Sequence, residues 1–208
     1  MNNKCCILIA GLEGSGHHMM SHVIPRDIKK HYNPPFPISG GFRTISFPHG
    51  HERNPYMRPD MVALSKNAIR YMVDLRIVLL LRNPIECVWS AVRRGFSPVD
   101  EQLNIVDINL KFFEEQVPNI SNDQILPLLY WDVVNGNQSK MREVEQFLDI
   151  PSDNMLWDKV HHPTNTMPDD VRNKILDYFS ERSYNIENEV FKYSFSNNEE
   201  VFECKYQK

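Results

Sequence analysis

An apolar run, Cys5-Cys6-Ile7-Leu8-Ile9-Ala10, passes straight into Gly11-Leu12-Glu13-Gly14-Ser15-Gly16-His17-His18. A buried strand that ends in a glycine-rich turn and opens a helix constrains a chain strongly. The glycines let the backbone curl tightly, so that successive N–H groups converge on an anion near the helix start. Gly11 and Gly16 fit the two glycines of the GxxxxGK[ST] frame, with His17 and His18 at its lysine and hydroxyl positions. Those two missing groups grip the terminal phosphates and magnesium of ATP. The turn is therefore suited to a phosphate-like group held in a different way.

The remaining pattern alternates strand and helix. Residues 16–31 read as a helix interrupted near Pro25, 33–41 as loop, Phe42–Phe47 as a strand and 48–59 as a polar loop carrying His49 and His51. Asp60 is placed to cap a helix through about Val73. Leu75-Arg-Ile-Val-Leu-Leu-Leu81 is the strongest strand, apolar enough for burial on both faces. Pro84 suits the first position of a helix reaching Arg94. Helices over 100–117 and 138–148 flank a strand over 124–131, and a last helix spans 168–181. The tail from Val190 reads as a hairpin or a docked extension.

This order predicts one α/β domain over residues 1–208. Its motif-bearing core is about 5–150, and 151–208 form a C-terminal helix and tail. The expected architecture is a parallel sheet of about four or five strands flanked by helices, with ligands at the carboxyl ends of the strands.

With 208 residues and a net charge of -4, general nucleic-acid binding is excluded and any basic site must be local. The four cysteines, Cys5, Cys6, Cys87 and Cys204, are not spaced as a disulfide framework, which points to a reducing, cytoplasmic setting. No run approaches the roughly 20 apolar residues of a membrane span.

A second anion element follows the strongest strand: Leu81-Arg82-Asn83-Pro84, with Ser90 on the next helix. Ile85, Val88, Trp89 and Val92 mark that helix's core face, and Ser90 lies off it. A strand-end arginine and a nearby hydroxyl suit a second phosphate. A nucleotide hydrolase would place an aspartate at such a strand end to hold magnesium.

With both elements in hand, the chain resembles the sulfotransferases that use 3'-phosphoadenosine 5'-phosphosulfate (PAPS), over roughly residues 5–150. Their 5'-phosphosulfate loop corresponds to Glu13, Gly14, Ser15, Gly16, His17 and His18, with Gly14 where that family has lysine. Their 3'-phosphate motif, an arginine and a serine eight positions later, corresponds to Arg82 and Ser90. Tyr130-Trp-Asp-Val133 is similar to their segment near the adenine, which leaves Tyr130 either in contact with the base or packed in the core. The resemblance implies transfer of a sulfuryl group to a hydroxyl or amine of a small organic or carbohydrate acceptor. The product is adenosine 3',5'-bisphosphate (PAP), and no metal is needed. It also implies a histidine base: His49 first, His51 second, with His17 or His18 standing in for the lysine. Arg93 and Arg94 read as a solvated face or as further 3'-phosphate contacts. The pairs His18/His22 and His161/His162 lack a third metal ligand. Two other readings stay open: a nucleoside or nucleotide kinase with a degenerate loop, and a PAP-binding module without turnover. Acceptor identity and oligomeric state are not encoded in any motif.

Overall fold

The computed structural model describes residues 5–24, 42–47, 60–160, 166–189, 191–196 and 201–206. Strands β1 (Cys5–Leu12), β2 (Phe42–Phe47), β3 (Asp74–Leu81) and β4 (Ile125–Leu129) run parallel in the order β2-β1-β3-β4. The four or five strands expected reduce to a core of three, β1, β3 and β4, whose side chains the structure describes. β2 adds an edge strand known by its backbone pairing with β1, Ile7 opposite Phe42. The chain crosses from β2 over β1 to β3, so the strand order reverses between β1 and β3, which opens a crevice at their C-terminal ends. That is where open α/β sheets bind ligands.

Successive side chains of β1 and β3 enter opposite faces of the sheet. Ile7, Ile9, Val78 and Leu80 meet helices α1 (His17–Val23) and, after four intervening helices, α6 (Gln138–Leu148). Leu8, Ala10, Ile77, Leu79 and Leu81 meet the layer that contains α2 (Met61–Arg70), α3 (Pro84–Arg93), α4 (Val99–Gln116) and α7 (Asp169–Phe179). Double-sided burial explains why β3 is a nearly unbroken apolar run. Asp60 and Asn83 cap their helices as side-chain acceptors, from the amides of Ala63 (2.8 Å) and Ile85 (2.9 Å), and Pro84 takes the first helical position.

Two expectations are corrected. The strand read over 124–131 ends at Leu129, and Tyr130–Val134 form the short helix α5. The C-terminal region is a second, antiparallel sheet of β5 (Ser183–Glu187), β6 (Phe191–Ser196) and β7 (Val201–Tyr206), in that order. Tyr184, Ile186, Phe191, Tyr193 and Phe195 point into the α4/α7 layer with period two.

Candidate anion site at the ends of β1 and β3

The turn after β1 is shaped by two left-handed glycines, Gly14 (φ 90°) and Gly16 (φ 98°). A Cβ at Gly14 would lie 2.6 Å from the Cys87 carbonyl oxygen and 3.1 Å from Ser90 Cβ. The turn therefore rests directly on the backbone of α3, and no side chain fits at the position where a loop lysine would stand. A Cβ at Gly16 would sit 2.8 Å from Tyr130 Cδ2, so the ring of Tyr130 closes the other side. Ser15 is fully buried; its amide donates to the Leu12 carbonyl (2.9 Å), and its hydroxyl points back at Gly11. That leaves the amides of Gly14 and Gly16, rather than Ser15, as donors without a partner among the described residues.

Arg82 follows the last residue of β3. Because β1 and β3 pair in register up to Gly11 opposite Leu80, the residues just beyond both strands emerge side by side. Arg82 Nη1 donates to the Gly14 carbonyl (2.8 Å), Arg82 Nε donates to Glu86 Oε2 (2.8 Å), and its guanidinium carbon stands 4.0 Å from the centre of the Tyr130 ring. The two anion elements do meet. Arg82 also has an anionic partner inside the protein, the Glu86 carboxylate on α3. Arg82 acts first as a strut that ties β3, the glycine turn and Tyr130 together.

Tyr130 is 3% exposed and holds Gly16 and Arg82, the packing alternative of the two read from sequence. Burial raises its hydroxyl pKa, and the Arg82 charge works against that rise. Burial pushes the Cys87 thiol, under the turn, up to about 12, so it stays protonated at neutral pH.

Ser90 stands against Gly14 and is covered by Arg94, whose Nη2 donates to Ser90 Oγ (3.2 Å) and whose Nε donates to the Ser90 carbonyl (2.9 Å). Arg94 is exposed, and Glu13 is its electrostatic counterpart: partial burial lowers its pKa and the Glu13 charge raises it. Sequence reasoning missed Glu86 and the fold-back of Arg94 onto Ser90. A signal for Glu86 was present: it is the third residue of a helix capped by Asn83, where acidic side chains turn back toward the preceding strand.

Beside the Arg82–Glu86 pair opens a cleft of about 470 Å³ between the start of α3, the approach to α7 and the end of β6. Its walls mix apolar Ile85, Met167 and Phe195 with Glu86, Asp169 and Arg172. None of these follows from a motif.

The side chains of His17 and His18, and all of His49, His51, His161 and His162, lie outside the described residues. His22 is exposed. Among the described residues no three His, Cys, Asp or Glu side chains gather as metal ligands, and no helix is long and apolar enough to cross a membrane.

No protein-family model matches the chain, and no curated protein matches it by sequence. Among solved structures, the sulfotransferase domain from the Synechococcus PCC 7002 olefin synthase is similar over 87% of this chain and 96% of that chain, at 12% identity and a TM-score of 0.45. At that distance the likeness lends no residue a role.

Proposed function

We propose that the chain, as one domain in a reducing, cytoplasmic setting, is a sulfotransferase that binds PAPS at the joined ends of β1 and β3. One observation supports this reading above the rest: the β3-end arginine reaches the glycine turn itself, 2.8 Å from the Gly14 carbonyl, so both anion elements belong to one site. The residues fit a doubly phosphorylated nucleotide. The Gly14 and Gly16 amides, with His17 and His18, would hold the 5' end. Ser90, Arg94 and the remaining donors of Arg82 would hold the 3' end. Glu13 and Glu86 oppose an anion and so limit affinity, while Glu86 keeps Arg82 in place.

When bound, PAPS supplies the sulfuryl group. The protein then has to steady the charge that develops on the departing phosphate, which backbone N–H groups and a fixed guanidinium do without reorganising. It must also take a proton from the acceptor hydroxyl or amine, the role proposed for His49 or, second, His51. The cleft at Ile85, Glu86 and Arg172 offers an acceptor both apolar wall and polar handles. Tyr130 supports Arg82 and Gly16 in this scheme and makes its contribution through them.

Thermal unfolding tests the reading. PAP should raise the melting temperature, and ATP with magnesium should raise it less. The reverse order would favour the kinase. Stabilisation by PAP without transfer to any of a panel of hydroxyl and amine acceptors would favour the silent module.

A further inference from the structure

At the opposite edge of the sheet, α2 turns into β3 through a cap built on the wrong residue for stability. The Val73 amide donates to the Ala68 carbonyl (2.9 Å) and the Met72 amide to the Ile69 carbonyl (3.2 Å), the paired bonds that close a helix around one left-handed residue. The helices α3 and α5 end in the same way on Gly95 and Gly136, and α6 ends on Asp149. Here the left-handed position is Met72 (φ 52°), a side chain that resists that conformation and is 87% exposed. Tyr71 and Ile69 beside it are 52% and 62% exposed. A fold selected only for stability would carry glycine at this position.

The charge along α2 is one-sided as well. Lys66, Ile69 and Arg70 share the outward face of α2 at helical spacing, and both cations are exposed. No acidic residue occurs from Met61 to Val73, in a chain whose net charge is -4. The flanking acids are already engaged: Asp60 caps the far end of α2, and Asp74 pairs with Arg76. Arg70 lies 5.5 Å over the Tyr71 ring.

We propose that this tip seats the protein on an anionic lipid bilayer. Three apolar side chains on one turn offer a point, far short of the roughly 800 Å² per partner that a stable protein interface needs. A bilayer takes such points: Tyr at the interface, Ile and Met just below it, Lys and Arg against anionic headgroups. β3 runs from this tip to Leu81, so its eight residues, roughly 25 Å, separate the bilayer from the anion site. A seated molecule would meet its ligands from solution. This inference stands independently of the sulfotransferase reading.

Co-sedimentation with phosphatidylcholine vesicles, with and without phosphatidylserine as the anionic lipid, tests it. The full chain should sediment with the anionic vesicles and remain in solution with the neutral ones. Met72→Gly should raise the melting temperature, since glycine relieves the backbone, yet lower vesicle binding about tenfold. The pair Lys66→Glu and Arg70→Glu should abolish the preference for phosphatidylserine. Equal partition of the wild type into both vesicles, or unchanged binding by Met72→Gly, would overturn the proposal. So would a wild-type dimer in solution that Met72→Gly dissolves, because the tip would then seat a second copy.

Discussion

Two places in this molecule bring together the same three chemical groups, a guanidinium, a carboxylate and a phenol. At the sheet end, Arg82 pairs with Glu86 at 2.8 Å and stands 4.0 Å from the Tyr130 ring. On the far side of α4, Arg182 stands 3.9 Å from the Tyr178 ring and 3.9 Å from the Asp107 carboxylate, which also accepts from the Tyr184 hydroxyl at 2.5 Å and from Lys111 at 3.0 Å. The second cluster joins α4 to β5, and its carboxylate oxygens have donors in the protein. Burial and the Asp107 hydrogen bond drive the Tyr184 pKa upward, so the phenol stays a donor at any physiological pH. The first cluster ends instead on a glycine turn whose Gly14 and Gly16 amides lack partners among the described residues, and Glu86 of that cluster lines an open cleft. Composition alone does not separate a buried latch from a ligand site. Attachment to a turn with spare donors is the difference on which the proposed ligand site rests.

If that contrast holds, substitutions at the two places should separate stability from ligand binding. The largest effect belongs to Gly14→Ala. A methyl there meets the Cys87 carbonyl at 2.6 Å on a left-handed backbone, so the turn must move. A destabilisation of roughly 3 kcal/mol and loss of the PAP-induced shift in melting temperature are expected. Asp107→Asn should cost about 2 kcal/mol in denaturant unfolding, because the amide keeps an acceptor oxygen for one of Tyr184 and Lys111 and loses both the second acceptor and the charge. It should leave the PAP-induced shift intact; if that shift vanished as well, the latch and the site would be one unit and the contrast would fail. Glu86→Gln is the finest probe. Removing the carboxylate releases the charge of Arg82 to a ligand, so PAP should bind a few-fold more tightly by calorimetry, as suits a part-exposed pair. Weaker binding would mean that holding Arg82 still matters more than freeing its charge.

The parts legible in the sequence are those whose cause is local or periodic. The apolar runs of β1 and β3, the glycines after one and the arginine after the other, place both anion elements at one edge once the strands are parallel neighbours. The caps at Asp60, Asn83 and Pro84 follow from single residues. The second sheet was harder to read. Phe191, Tyr193 and Phe195 alternate as a strand should, but their burial depends on α4 and α7, which lie far away in the chain. The Arg82–Glu86 pair was hidden for another reason. Asn83-Pro84 breaks the chain direction between the two residues, so their four-residue spacing does not resemble a helical pair. The cleft brings together residues from three distant segments and leaves no local trace.

The central claim is that one anion site lies between the glycine turn and the end of β3, and amide chemical shifts read it most directly. In a nitrogen-15 correlation spectrum titrated with PAP, the Gly14 and Gly16 amides and the Arg82 side chain should shift together and saturate at one concentration. Saturable PAP binding that leaves those resonances unmoved would contradict the claim.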